Sequence, residues 1–203
     1  MIWPDNALLR AYVLSPRLGQ ISANLLEVSA VRLYHDNVLA KQSGCGRTPW
    51  HFDDHHFPLD TNDVVTAWAP AQPTPIEMGP LSFAYPLDVH ELIKDVTFEK
   101  TGTGYDREVS NIFSKNNVSV NATPFELGEV SFHHNLNFHT ASSNRTNCSR
   151  IALANTYYRD GARVINSPTM VSGDWQKFMP NVKPGDIAAS PLNPICWPVK
   201  SEI

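Results

Sequence analysis

Proline sets the first limit on this fold. The chain carries 16 prolines against 10 glycines in 203 residues. Proline removes a backbone donor and stops both helices and central strands. The apolar stretches between prolines are correspondingly short. Val64 to Ala69 is rich in β-formers and is stopped by Pro70. Leu81 to Tyr85 lies between Gly79-Pro80 and Pro86, and Phe125 to Phe132 reads as a tight turn feeding a strand. Ile151 to Tyr158 is the last clear strand, and Ala30 to Ala40 alternates with a slip near Asp36-Asn37, as in a bulged strand. Many short strands separated by turn signals predict a mainly β sandwich or barrel with added helices.

The helical signals are fewer. Ala7 onward gives a short helix. Pro16 interrupts it and starts a second helix to about Glu27, with Ser15 as its N-cap. Asp88 to Asp95 holds one or two helical turns. Thr101 to Ser119 is polar and irregular. It reads as a surface loop or a lid, with a helix over Asp106 to Phe113 as the alternative. Pro168 to Pro198 has little periodicity and is expected to pack as a tail. A single domain over residues 1–203 is expected.

Charge and hydropathy exclude several roles. Lys+Arg 16 against Asp+Glu 20 gives a formal net charge of −4, without the basic excess of a nucleic-acid binder. No apolar run approaches the roughly 20 residues of a membrane helix. The first residues lack a signal-peptide pattern, and Cys45, Cys148 and Cys196 are odd in number and far apart. Both points favour a reducing, cytoplasmic setting over a disulfide framework. Asn-x-Ser/Thr sequons at Asn117, Asn121, Asn144 and Asn147 then read as turn chemistry.

The chemistry concentrates around histidine, of which there are 8. Trp50-His51-Phe52-Asp53-Asp54-His55-His56 is the densest segment. On a strand, residues two apart share a face, so His51 and Asp53 present an imidazole and a carboxylate together. Taken alone the pair is weak, because surface strands often carry one. A third ligand has to come from His90, His133, His134 or His139. Two histidines and one carboxylate leave open positions and suit non-haem Fe(II). If His139 is the third ligand, Arg150, at the head of the following strand, can enter the same cavity and fork a carboxylate.

At this point the sequence resembles the phytanoyl-CoA dioxygenase family of Fe(II)- and 2-oxoglutarate-dependent oxygenases. Thr48-Pro49-Trp50-His51-Phe52-Asp53 is similar to the family's Trp-His-x-Asp. Val64 to Trp68, Gly79-Pro80-Leu81 with Pro86 and His90, and Gly128-Glu129 with Phe132-His133 follow in the family's order. His139, Asn144 and Arg150 keep its spacing of distal residues. The departures are Phe52 for the family's usual Gln, altered residues between Pro86 and His90, Glu129 in the Gly-Asp turn, and Ala141 where many members have Ser.

The resemblance implies a double-stranded β-helix, a cupin-like jelly roll with flanking α-helices. It implies Fe(II) held by His51, Asp53 and His139. It implies 2-oxoglutarate held by Arg150, with Trp68 lining that pocket and Lys41 beside it. His133 and His134 are expected in or behind the pocket wall, and Tyr85, Tyr105 and Phe113 are candidates for an apolar wall. The implied activity is O2-dependent hydroxylation of an unactivated C–H bond in a small organic molecule, with release of succinate and CO2. An intact Asp53 favours this over halogenation. Two other readings stay open: a non-catalytic binding protein of the same fold, and a zinc hydrolase, which would have no use for Arg150. Oligomeric state is not legible. Only 49 residues precede the Trp-His motif at Trp50, which is short for the family.

Overall fold

The computed structural model describes residues 1–98, 103–168 and 173–198. Two antiparallel sheets form the body. The larger has the order β6-β3-β8-β1-β9, with β1 Val31–Lys41, β3 Val64–Pro70, β6 Ser131–His134, β8 Arg150–Arg159 and β9 Ile195–Trp197. The smaller has the order β2-β7-β4-β5, with β2 Thr48–His51, β4 Leu81–Tyr85, β5 Ser119–Ala122 and β7 His139–Ala141. This is the expected double-stranded β-helix, and the helices lie outside it.

Side-chain parity along the large sheet separates two chemistries. Val65 and Ala67 on β3, Tyr157 on β8, and Val31 and Leu33 on β1 face outward. There they pack with Val13, Leu18 and Ala23 from α1 (Ala7–Val13) and α2 (Pro16–Leu25). Their alternate neighbours Thr66, Trp68, Ala154 and Thr156 face the cavity between the sheets. Inside, Trp68, Leu81, Phe125, Ala141, Ala152 and Ala154 form an apolar floor.

On β1 the parity is reset. The pairing with β8 slips between Leu33 and His35, leaving Tyr34 as the extra residue. Leu33 belongs to the outer core, whereas Tyr34 and His35 both line the cavity. Beyond the bulge Asn37, Leu39 and Lys41 continue the inward row. The slip expected near Asp36-Asn37 therefore lies two residues earlier. Asp36 faces out, where its carboxylate accepts the backbone N–H groups of Ile2 and Trp3.

The helices follow their caps. Asn6 caps α1 by accepting from the N–H groups of Leu8 and Leu9 at 3.1 and 3.0 Å. Pro16 opens α2. Ser15 occupies its N-cap position without a side-chain bond. Gly19 of α2 lies flat on β9, where a Cβ would come 2.5 Å from the Cys196 carbonyl oxygen. The presumed tail thus supplies the edge strand of the large sheet.

The polar segment expected as a loop or lid is α4, Gly104–Asn116. Tyr105, Val109 and Phe113 recur every four residues and pack with α3 (Val89–Ile93), Trp50 and Phe138 on the outside of the small sheet. Tyr105 and Phe113 therefore build this outer core rather than a cavity wall, and Tyr85 is exposed. Thr101 and Gly102 lie outside the described residues. No described helix is long and apolar enough to cross a membrane.

Candidate metal and cosubstrate site

His51 is the last residue of β2 and His139 the first of β7, and the two are direct partners across the strand pair. Their ring centroids are 4.2 Å apart. Asp53 is not on the strand as the pattern suggested. The chain turns after His51, and Asp53 adopts a helical backbone before the 3-10 turn Asp54–His56. Its N–H donates to the Asn135 carbonyl at 2.8 Å, which fixes the turn against the segment leading to His139. The carboxylate still swings back: Oδ1 lies 3.7 Å from His51 Nε2 and 3.9 Å from His139 Nε2. The ligand atoms of His51, Asp53 and His139 all fall within 4.8 Å of one another.

Both imidazoles are held in one tautomer. His51 Nδ1 lies 2.8 Å from the Pro49 carbonyl and His139 Nδ1 2.9 Å from the Asn137 carbonyl. A carbonyl only accepts, so Nδ1 carries the proton and Nε2 keeps a free lone pair. Burial lowers the pKa of His51 and pushes that of His139 down to about 3. Burial alone would raise the Asp53 pKa. The hydrogen bond from His133 and the charges of His139, His133 and His51 outweigh it and hold the carboxyl well below its usual range. Two neutral imidazoles and one carboxylate, converging and pre-oriented, fit a divalent metal of the Fe(II) type.

The other histidines separate cleanly. His55 packs at a tilt against Phe52, with centroids 4.2 Å apart. His90 lies on α3, bound to the Leu87 carbonyl and beside Glu91. His134 pairs with Val65 on the outward row, and its Nδ1 accepts from Leu136 N–H. His133 pairs with Thr66 on the inward row and reaches Asp53.

The three converging side chains share a cavity of about 770 Å³ with Arg150, Lys41 and Trp68. Arg150 opens β8 directly opposite Lys41 on β1. Its guanidinium is buried, sits 5.3 Å from the Trp68 ring centroid and donates from Nη1 to the Gly79 carbonyl. Nε is buried without a partner, so the group keeps hydrogen-bonding capacity for an anion. Gly79 has φ +71°, and a Cβ there would overlap the Ser142 carbonyl. Only glycine brings this acceptor under Arg150 without strain.

Lys41 differs from Arg150. Its Nζ already donates to the carbonyls of Gly46 and Ser142 at 2.8 and 2.9 Å. Burial, with Arg150 next in effect, pulls its pKa down to about 8. It ties the Gly46 loop to the strand after His139 while lining the cavity. Asn144 behaves as a turn residue: its side chain donates to the Lys41 and Cys148 carbonyls and accepts from Thr146.

Sequence reasoning missed the far end of the cavity. Tyr34, His35 and Asn37 from β1, and Lys177 and Phe178 from the presumed tail, line it. His35 is packed between Tyr34 and Phe178, each with a ring centroid 5.0 Å away. The bulge was the available signal.

A model of the family described as phytanoyl-CoA dioxygenase matches residues 5–152, a span that contains every residue of the triad and Arg150. The chain belongs to this family. Among curated proteins no sequence match is found. Solved structures agree on the fold. A non-heme alpha-ketoglutarate-dependent carbocyclase, SnoK from nogalamycin biosynthesis, is 24% identical with a TM-score of 0.74, over 95% of this chain and 72% of its own. The epimerase SnoN, solved with Fe3+, alpha-ketoglutarate and nogalamycin RO, is 20% identical with a TM-score of 0.72, over 94% and 74%. EctD from S. alaskensis, solved with 2-oxoglutarate and 5-hydroxyectoine, is 14% identical with a TM-score of 0.67, over 93% and 65%. Membership of the phytanoyl-CoA dioxygenase family assigns a dioxygenase-type function.

Proposed function

We propose that this protein is an Fe(II)- and 2-oxoglutarate-dependent dioxygenase that oxidises a C–H bond of a small organic molecule, with hydroxylation as the outcome. One observation carries the reading. A convergent His51–Asp53–His139 donor set lies in one cavity with a buried guanidinium that has unused hydrogen-bonding capacity. A zinc hydrolase would need the first feature and not the second. Iron and the 2-oxo acid are ligands of the similar SnoN structure, and 2-oxoglutarate is a ligand of EctD. Carbocyclase and epimerase activities among the similar structures show that the outcome on this fold varies.

Bound Fe(II), 2-oxoglutarate and O2 together supply a strong oxidant, with succinate and CO2 as co-products. The protein contributes position and environment. His51 and His139 present Nε2 lone pairs, oriented by the Pro49 and Asn137 carbonyls. Asp53 supplies a charged oxygen. Arg150 binds the distal carboxylate of the cosubstrate, backed by the Trp68 ring. Lys41 adds positive potential and ties the Gly46 and Ser142 carbonyls together at this end. The aromatic end around Tyr34, Phe57 and Phe178 excludes water and receives the substrate.

The test is anaerobic addition of Fe(II) and 2-oxoglutarate to the protein. The expected result is the visible charge-transfer band of a chelated 2-oxo acid, absent from a His139→Ala variant. No band, or an unchanged band in that variant, overturns the reading. A band without succinate release on admitting O2 across a substrate screen would leave a binding protein in place of an enzyme.

A further inference from the structure

Asp53 is approached from both sheets, and its two oxygens have different neighbours. Oδ1 faces the ligand nitrogens of His51 and His139, on β2 and β7 of the small sheet. Oδ2 faces His133, on β6 of the large sheet, with Nε2 at 3.5 Å. We propose that His133 is a positioning residue that reserves Oδ2 by hydrogen bonding, so that Asp53 gives the metal one oxygen only. The inference rests on the metal-site reading above. It adds a fourth residue that the Trp-His-x-Asp pattern does not contain.

Three observations support it. First, His133 is buried, at 5% exposure, and its Nδ1 has no partner. That leaves Nε2, 3.5 Å from Oδ2, as the ring nitrogen placed to donate to Asp53. Second, the ring is clamped. It packs on Phe83 with centroids 5.5 Å apart and on His139 at 4.7 Å. Third, strand parity is decisive. The register of β6 on β3 sets His133 opposite Thr66, whose Oγ1 is 2.9 Å from Thr156 Oγ1, and sends His134 to the other face.

The consequence concerns open positions. A carboxylate that binds through both oxygens takes a fourth site on an octahedral metal and leaves two. A chelating 2-oxo acid needs two, and dioxygen needs one more. With Oδ2 reserved, three sites stay open.

The experiment uses the full chain and Co(II) as a spectroscopic stand-in, so that no turnover is needed. Four proteins are compared: wild type, His133→Gln, His133→Asn and His133→Phe. The Gln amide nitrogen reaches the place of Nε2. The Asn amide stops at the place of Nδ1 and cannot reach Oδ2. Phe keeps the ring without a donor. Cobalt affinity is read from the visible d–d bands, followed by 2-oxoglutarate affinity of the cobalt-loaded protein. Loss of an outer hydrogen bond to a metal ligand typically weakens metal binding about 10- to 100-fold. That loss is expected for Asn and Phe, with a further loss of 2-oxoglutarate affinity, and Gln is expected to restore both.

Equal affinities across the four proteins, or a Gln variant as impaired as Asn, overturns the inference while the metal site stands. If Phe does not fold by circular dichroism, the Gln–Asn pair decides alone. A wild type that takes up no cobalt overturns the metal-site reading itself, and this inference with it.

Discussion

Arg150→Met separates binding from stability more sharply than any other change at the site. Arg150 is 4% exposed, and its Nε is buried without a partner. Its Nη1 bond to the Gly79 carbonyl and its place over Trp68 are the compensation the fold supplies. Met keeps the length and removes the desolvated charge. Replacing a buried charge by an apolar side chain of similar volume is often neutral or stabilising. Against this stands a carbonyl left unpaired, about 1–3 kcal/mol, so the net change in folding stability should stay within about 2 kcal/mol of zero. Binding behaves differently. Truncating one partner of a buried charge pair costs about 2–5 kcal/mol. At about 1.4 kcal/mol per tenfold, this weakens 2-oxoglutarate roughly 30- to 4,000-fold. The assay is anaerobic titration of Fe(II)-loaded protein with 2-oxoglutarate, beside a cobalt titration and a melting curve. The expected result is lost cosubstrate affinity with cobalt affinity preserved and the melting temperature within about 8 °C of wild type. Wild-type 2-oxoglutarate affinity in the variant would remove Arg150 from the site. Equal loss of cobalt binding would show general damage instead.

Three further outcomes are expected. Burial depresses the His139 pKa to about 3 from 6.5, so the unfolded chain takes up the proton first as pH falls. The stabilisation is full above about pH 6.5 and is lost toward about pH 3. At about pH 5 it has fallen by about 2 kcal/mol, and denaturant melts of metal-free protein should show a shallower pH dependence in His139→Gln. Gly19→Ala should destabilise by about 1–3 kcal/mol despite alanine's better helix propensity, because the new methyl meets the Cys196 backbone; an unchanged urea midpoint would contradict the packing of α2 on β9. Val109→Ala should cost about 1–3 kcal/mol in the core under α4 and leave cobalt affinity unchanged. Loss of cobalt binding there would show that α4 shapes the site.

The legible part of the site was the part written in local sequence. His51 and Asp53 sit two apart, and Arg150 follows His139 by a fixed step, so short motifs capture them. The strand core was legible for the same reason, since Val64 to Ala69 and Ile151 to Tyr158 are dense in β-formers. What stayed hidden depends on register. His133 and His134 are equivalent as letters, and only the pairing of β6 with β3 decides which one enters the cavity. The helix offered as the alternative over Asp106 to Phe113 is the one that forms, as α4; its i, i+4, i+8 apolar stripe was masked by neighbouring glycines and polar residues, so the loop reading stood beside it. Strand β9 is three residues between prolines, too short a run to show a period-two pattern, and it is recognised only through its pairing with β1. The conformation of Asp53 was misjudged because the strand ends at His51, and the carboxylate reaches Oδ1 contact distance by a turn instead.

The extra residue at Tyr34 has a consequence for how chains of this kind can vary. Upstream of it β1 must keep Leu33 under the helices; downstream it must keep His35, Asn37, Leu39 and Lys41 toward the cavity. Both halves are pinned by one partner strand. A codon gained or lost anywhere from Asp36 to Lys41 would turn the row around and carry Lys41 away from Arg150. At the bulge alone, a change of one residue leaves both rows where they are. When relatives are aligned to this chain, length differences in this strand should therefore collect at Tyr34, and a gap placed between Asp36 and Lys41 is an alignment error that the structure can correct.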